Sequence, residues 1–210
     1  MKDKEANVLK EKCEREYGFK ALAIKADISN EEQVSEMINR IIKEFGKIDI
    51  LVNNAAIVID KEFNDRTFQD FEETLRVNVS GTFLVSKYVS ECMLNNKRGK
   101  IINISSTNGM NTVYPTSIDY DASKAAIISL TKNVAIQFAP YINVNAIAPS
   151  WVNTKMNSQL SQEFLNEELK NILLHRFAKM EEISKLIYFL SSDDANYITG
   201  EVIRIDGGMF

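Results

Sequence analysis

The sequence has almost nothing with which to hold a metal ion or build a disulfide framework. Among 210 residues there is one histidine, His175, and there are two cysteines, Cys13 and Cys92, with no CxxC or paired-ligand spacing. Reduced packing thiols are therefore expected, and no metal site. Charge of one sign is also missing. Lys and Arg number 25 against 29 Asp and Glu, a net charge of -4, and the basic residues are scattered with no stripe suited to a phosphate backbone. No nucleic-acid partner is expected. No apolar run reaches membrane-spanning length, and the opening MKDKEANVLKEKCERE is charged and helical in pattern with no apolar signal core. No membrane partner is expected either, and the reading is of a cytoplasmic protein. Glycine is sparse: the eight, at 18, 46, 81, 99, 109, 200, 207 and 208, form no glycine-rich phosphate turn.

What is present is an alternation. Charged helical patterns take turns with short apolar runs, the mark of an α/β fold with a parallel sheet covered on both faces. With 45% hydrophobic residues, the chain can bury one sizeable core, so residues 1–210 are expected to form a single domain. Residues 3–17 read as a helix stopped by Gly18, and Phe19 to Ala26 as a strand ending at Asp27. Ser29, with Glu32 three residues on, has the spacing of a capping box for a helix running to Gly46. Its buried stripe is Val34, Met37, Ile38, Ile41, Ile42 and Phe45. Strands are expected at Ile48 to Val52, Lys100 to Ile104, Ile142 to Ile147 and Val202 to Ile205. Helices are expected from about Thr67 to Asn95, Tyr120 to Phe138 and Glu181 to Leu190. The polar stretch from Asn153 to Lys170 reads as a mobile lid.

In open parallel sheets ligands collect at the carboxyl ends of the strands, where loops converge and helix N-termini point inward. Small polar residues occupy those places here: Asp27, Asn54, Ser106 and the segment after Pro149. The sharpest grouping is Ser106 in ISSTNG with Tyr120 and Lys124 in YDASKAA. Tyr120 and Lys124 stand four apart on one helix, hence on one face. An ammonium beside a phenol favours the phenolate, so Lys124 is placed to lower the pKa of Tyr120, and Ser106 to hydrogen-bond a substrate carbonyl oxygen. Asn78 in RVNVSGTF lies with Gly81 inside the long helix, where both residues are poor formers, and this invites a local bulge. A YxxxK pair alone is equally a solvated helix face. Its weight comes from the ordered set: NNAA after a strand, VNVSGTF in a helix, ISS ending a strand, YxxxK opening a helix, then NAIAP and ITGEVIRIDGG. His175 reads as a surface or lid residue. Trp151 reads as a pocket wall or a core residue, and Asp119 and Asp121 as solvated charges.

This ordered set resembles the short-chain dehydrogenase/reductase superfamily along essentially the whole chain, and is most similar to its 3-oxoacyl-acyl-carrier-protein reductase branch. The resemblance implies a Rossmann-type, doubly wound parallel sheet. It implies an oxidoreductase of fatty acid biosynthesis that transfers hydride from NADP(H), with NAD(H) as the other possibility, to a 3-oxoacyl thioester or similar small carbonyl substrate. It also implies a homo-oligomer, a tetramer or dimer, assembled through the long helices. By the same resemblance Tyr120 is the general acid/base, Lys124 tunes it and binds the nicotinamide ribose, Ser106 orients substrate, and Asn78 anchors a water in a proton relay. Asp27 and Ile28 would contact adenine, Asn54, Ala55 and Ala56 would lie along the cofactor, and Pro149, Val152 and Thr154 would lie at its nicotinamide end. The family's first two strands and their TGxxxGxG turn have no counterpart here, so an N-terminally truncated domain is expected, with two buried strand edges left unpaired. Ala56 and Ser150 stand where the family usually has glycine. Two other readings stay open: a polyol or sugar dehydrogenase of the same superfamily, and a non-catalytic fragment acting only through assembly.

Overall fold

Parallel strands cannot be joined by hairpins; each pair needs a crossover. The alternating sequence supplies these. The computed structural model describes residues 3–154 and 160–210, and its strands form one parallel sheet in chain order. These are β1 (Ile50–Asn53), β2 (Gly99–Ile104), β3 (Ile142–Pro149) and β4 (Val202–Ile205). Ile50 lies opposite Lys100, Ile104 opposite Ile147, and Pro149 opposite Ile205. Helices α1 (Asp3–Tyr17) and α2 (Glu31–Phe45) precede β1, while α3 (Phe68–Leu75) and α4 (Thr82–Asn95) cross from β1 to β2. Then α5 (Ile118–Phe138) crosses to β3, and α6 (Gln162–Lys170) and α7 (Met180–Ser191) lie between β3 and β4.

Neighbouring residues on β2 show why both faces must be covered. Side chains alternate along a strand. Ile101 joins a core with Val34 and Ile38 of α2, Val85, Val89 and Met93 of α4, and Ala135 of α5. Ile102, one residue on, joins the opposite core with Ile147, Ala195 and Leu190 of α7. A near-continuous apolar strand is what this two-sided burial requires.

Several boundaries follow from local chemistry. Gly18, at φ 68°, ends α1 with its N–H on Glu14 O, and Gly46, at φ 81°, ends α2 with its N–H on Ile42 O. Only glycine adopts this left-handed backbone freely. Thr67 caps α3 in a reciprocal box with Asp70. The cap of α2 is Asn30, which accepts from Gln33 N, rather than Ser29. Ser29 is drawn off to Asp27, whose Oδ1 accepts from both its N–H and its hydroxyl.

One expected strand is overturned. Phe19 to Ala26 is not a strand: among the described residues no strand pairs with it, and Phe19 is 71% exposed. An extended run becomes a strand only when a partner takes its hydrogen bonds. Correspondingly, β1 pairs on one side only among the described residues, and its expected buried edge is open, with Ile50 and Val52 exposed. The expected lid is not wholly irregular. Its second half is α6, capped by Ser161, which accepts from Phe164 N. Residues 155–159, with Lys155, lie outside the described residues.

Candidate active site

The carboxyl end of β2 and the first turns of α5 meet beneath the sheet's upper edge. Ser105 and Ser106 follow Ile104 directly. Ser105 Oγ donates to Lys124 O at 2.8 Å, and Lys124 Nζ donates to Ile104 O at 2.7 Å, so strand end and helix are fastened reciprocally. Lys124 is 4% exposed, and its ammonium sits 5.3 Å from the centroid of the Tyr120 ring. Ser106 is buried. Its Oγ accepts from Asn108 N at 3.2 Å and lies 3.4 Å from Pro149 O at the end of β3. Two strand ends, those of β2 and β3, thus converge with the first turns of α5.

The electrostatics depart from the simple expectation. Burial pushes the Tyr120 phenol up, a hydrogen bond from Ser106 works in the opposite direction, and the nearby Asp121 carboxylate adds to the rise. Lys124 Nζ lies over the ring and is bonded to Ile104 O. The lysine bears a desolvation penalty of its own, and burial brings its pKa down to about 8. Tyr120 is therefore held as a neutral phenol, the form that has a proton to give.

Asn78 lies in a π-helical turn, Arg76–Gly81, between α3 and α4, so the bulge that Asn78 and Gly81 invite is present. Its 1% exposed side chain is fully used. Asn78 Oδ1 accepts from Ile57 N at 2.8 Å, and Nδ2 donates to Ile57 O at 2.9 Å and to Ser123 Oγ at 3.0 Å. Ser123 Oγ in turn donates to Tyr120 O at 2.7 Å. The amide thus ties the chain leaving β1 to the turn carrying Tyr120. Ser123 was not singled out from sequence, although its position three residues after Tyr120 puts it on the same helical face.

The remaining candidates divide into groups. Ile28, Asn54 and Ala55 line one cleft of about 200 Å³ with Leu51, Val52 and Thr82. Asp27, at the head of this region, is held below the usual carboxylate range by Ser29, with Arg76 contributing from 3.7 Å. Ala56 adjoins Ile57, the residue that Asn78 clamps. Val152 is placed differently: it pairs with Ala178 in an isolated parallel bridge. Thr154 lies two residues further on and is half-buried. A larger groove of about 640 Å³ runs between α1 and the extended segment from Ala21 to Ala26, remote from Tyr120. It follows from that segment having no strand beside it.

For a nicotinamide cofactor the two halves fit differently. Lys124 makes one hydrogen bond among the described residues, leaving two ammonium donors for a diol such as a ribose. At the pyrophosphate end, this chain offers no glycine-rich turn.

The aspartates flanking Tyr120 are not solvated charges. Asp119 is 0% exposed and lies 2.6 Å from Arg66 Nη1. Asp121 accepts from Asn108 Nδ2 at 2.7 Å, Tyr114 N at 3.1 Å and Ser117 Oγ at 3.1 Å, which fixes the loop between Ser106 and Tyr120. Trp151 is packed among aromatic rings. Its ring meets Tyr114 and Phe164 edge to face and Phe177 at a tilt, and its Nε1 donates to the buried Glu168 of α6 at 2.7 Å. Tyr114 Oη donates to the same carboxylate oxygen. His175 is exposed, with Nδ1 3.4 Å from Leu169 O, away from this constellation.

Comparison with known proteins identifies relatives of the whole chain. A family model described as enoyl-(acyl carrier protein) reductase matches residues 1–210. The 3-oxoacyl-(acyl-carrier-protein) reductase of Aquifex aeolicus is 39% identical over 206 residues, covering 98% of this chain and 83% of the relative. The enzyme of the same name from Buchnera aphidicola is 40% identical over 190 residues, covering 90% and 77%. That of Thermotoga maritima is 37% identical over 186 residues, covering 87% and 74%.

Proposed function

Since the chain belongs to the short-chain dehydrogenase/reductase family, oxidoreductases acting on alcohol and carbonyl groups, we propose that it reduces 3-oxoacyl thioesters to 3-hydroxyacyl thioesters with NADPH. The observation that carries the reading is the buried cluster of Ser106, Tyr120 and Lys124 at the strand ends. The choice of substrate is supported by the names of the relatives, and NADPH over NADH rests on family analogy.

In this reading the substrate carbonyl oxygen takes the place where the Ser106 hydroxyl and the Tyr120 phenol can both donate to it. Hydride is supplied to the carbonyl carbon from the nicotinamide ring when the cofactor is bound. Ser106 stabilises the oxygen as negative charge gathers there, and Tyr120 delivers its proton to that oxygen, giving the alcohol and a phenolate. The Lys124 ammonium, already desolvated, steadies the phenolate until a proton returns from solvent. It also holds the ribose hydroxyls. Asn78 acts on this assembly through Ser123 and the Tyr120 carbonyl. The protein acts as a homo-oligomer, a proposal supported by Phe68, Phe83 and Ile136, large apolar side chains left exposed on α3, α4 and α5.

The test is Tyr120→Phe, which removes the transferable proton and keeps the ring. With acetoacetyl-coenzyme A and NADPH, turnover is expected to fall by about 10²- to 10⁴-fold with an unchanged circular dichroism spectrum. Wild-type activity in the variant would contradict the assigned chemistry, and turnover of sugar ketones in place of the thioester would contradict the substrate.

A further inference from the structure

A carboxylate wholly removed from water needs a reason, and Asp119 has no solvent contact at all. Its Oδ1 accepts the backbone N–H of Tyr120 at 3.0 Å and faces Arg66 Nη1 at 2.6 Å, while Oδ2 accepts from Thr74 Oγ1 of α3 at 2.7 Å. Arg66 has a side chain only 4% exposed. Its Nη2 donates to Ile59 O at 2.8 Å, Lys61 O at 3.2 Å and Thr116 O at 2.6 Å. Among the described residues neither Nη1 nor Nε has a well-aligned hydrogen-bond acceptor, so the contact with Asp119 is a close ion contact rather than a directional bond. One pair of charges therefore joins the chain leaving β1, helix α3, the turn before α5 and the peptide of Tyr120. Stability alone is a poor explanation, because buried ion pairs commonly add little over apolar side chains of the same volume. Fixing one arrangement is a better one. The hydroxyl of the helix cap Ser117 goes to the Asp121 side chain and takes no backbone N–H of the first turn of α5, so Asp119 is the side chain that accepts the Tyr120 N–H.

We propose that Arg66 and Asp119 are positioning residues for the reaction: they set the backbone of Tyr120 against the chain leaving β1 and against α3, and so place its phenol relative to Ser106. The inference rests on the reductase reading above. Asp121 serves the other side of Tyr120 by holding Asn108 and Tyr114, so the two neighbours of the acid divide its surroundings between them.

The experiment compares wild type, Asp119→Asn, Thr74→Val and the double variant Arg66→Met with Asp119→Asn, using acetoacetyl-coenzyme A and NADPH. Asp119→Asn strands the Arg66 charge and is expected to lower both melting temperature and kcat, the latter at least about tenfold, with KM within about threefold. Thr74→Val keeps the charge pair and loses one donor, so a several-fold fall in kcat is expected from a stable protein. The double variant removes both charges. It is expected to regain melting temperature while kcat stays at least about tenfold down, since a misplacement near 1 Å suffices for such losses. A merely structural role predicts that kcat returns with stability, and that result overturns the proposal, as does wild-type kcat in folded Asp119→Asn. If the wild type reduces no carbonyl at all, it is the reductase reading that fails. The positioning is then read from a crystal structure of the double variant. A Tyr120 phenol shifted from Ser106 supports the proposal, and one in its original place overturns it.

Discussion

Gly109 ends the short turn that begins after Ser106, and a single methyl group there tests how closely that turn must approach α5. A Cβ added at Gly109 would lie 2.5 Å from the Lys124 carbonyl carbon, 2.7 Å from Ala125 N and 2.7 Å from Lys124 O. All three atoms are helix backbone, and none can rotate aside. Ser105 Oγ, on the residue just before Ser106, fastens the same Lys124 carbonyl. Ordinary contact begins near 3.4 Å, so in Gly109→Ala the turn must back away from the helix by roughly 0.9 Å. Ser106 and Tyr120 sit on opposite sides of that widening gap. Overpacking of this kind costs about 1–3 kcal/mol, equivalent to about 2–12 °C in melting temperature for a domain of this size. A misplacement approaching 1 Å at reacting groups costs up to about a hundredfold in rate. Gly109→Ala is therefore expected to lose about 10- to 100-fold in kcat for acetoacetyl-coenzyme A reduction, with a modest fall in melting temperature followed by circular dichroism. A variant with kcat within twofold of wild type and an unchanged melting temperature would refute the reasoning, because the turn would then have room that the backbone distances deny it.

Lys124 has a folded-state pKa of about 8 against an ordinary 10.5, so the unfolded chain binds more protons between those values. Stability is therefore gained from this residue as pH rises through that window. Urea denaturation of wild type and Lys124→Met at pH 7.5 and 10 should show the gain in wild type alone, and equal slopes would deny the burial penalty. Glu168→Ala should remove the acceptor shared by Trp151 and Tyr114 and cost about 1–3 kcal/mol. As Trp151 is the only tryptophan, its emission should move to the red, and an unchanged spectrum would count against the latch between α6 and the loop. Asn78→Ala should leave both backbone groups of Ile57 without their partner, seen as faster hydrogen exchange at that amide; retained protection would show that the clamp is dispensable.

The elements whose boundaries rest on local chemistry were legible in the sequence. Gly18 and Gly46 end helices because a left-handed residue is needed, and Val202 to Ile205 is a strand as expected. The bulge at Asn78 was legible for a similar reason, two poor helix formers close together. Three features were not. Phe19 to Ala26 has the composition of a strand, but forming one depends on a neighbour that local composition does not report. Ser29 and Asn30 are both good caps, and the choice between them was settled by Asp27 competing for the serine hydroxyl. Asp119 looked solvated because its partners, Arg66 and Thr74, lie far upstream and meet it only in the folded chain. Within the site, the convergence of Ser106, Tyr120 and Lys124 was legible from spacing on one helix face and from the strand end. The direction in which Tyr120 is shifted was not, because it depends on how much water the fold excludes.

The π-helical turn between α3 and α4 also makes the chain unequal in how it tolerates changes of length. Deleting one residue from Arg76–Gly81 would regularise the hydrogen bonds there, and because the wide turn absorbs the extra residue, α3 and α4 would keep nearly their present phase. Val85 and Val89 would stay on the core and Thr74 beside Asp119. The loss would fall on Asn78, whose amide would no longer meet Ile57. A deletion of one residue here would thus spare the helices and strike the clamp.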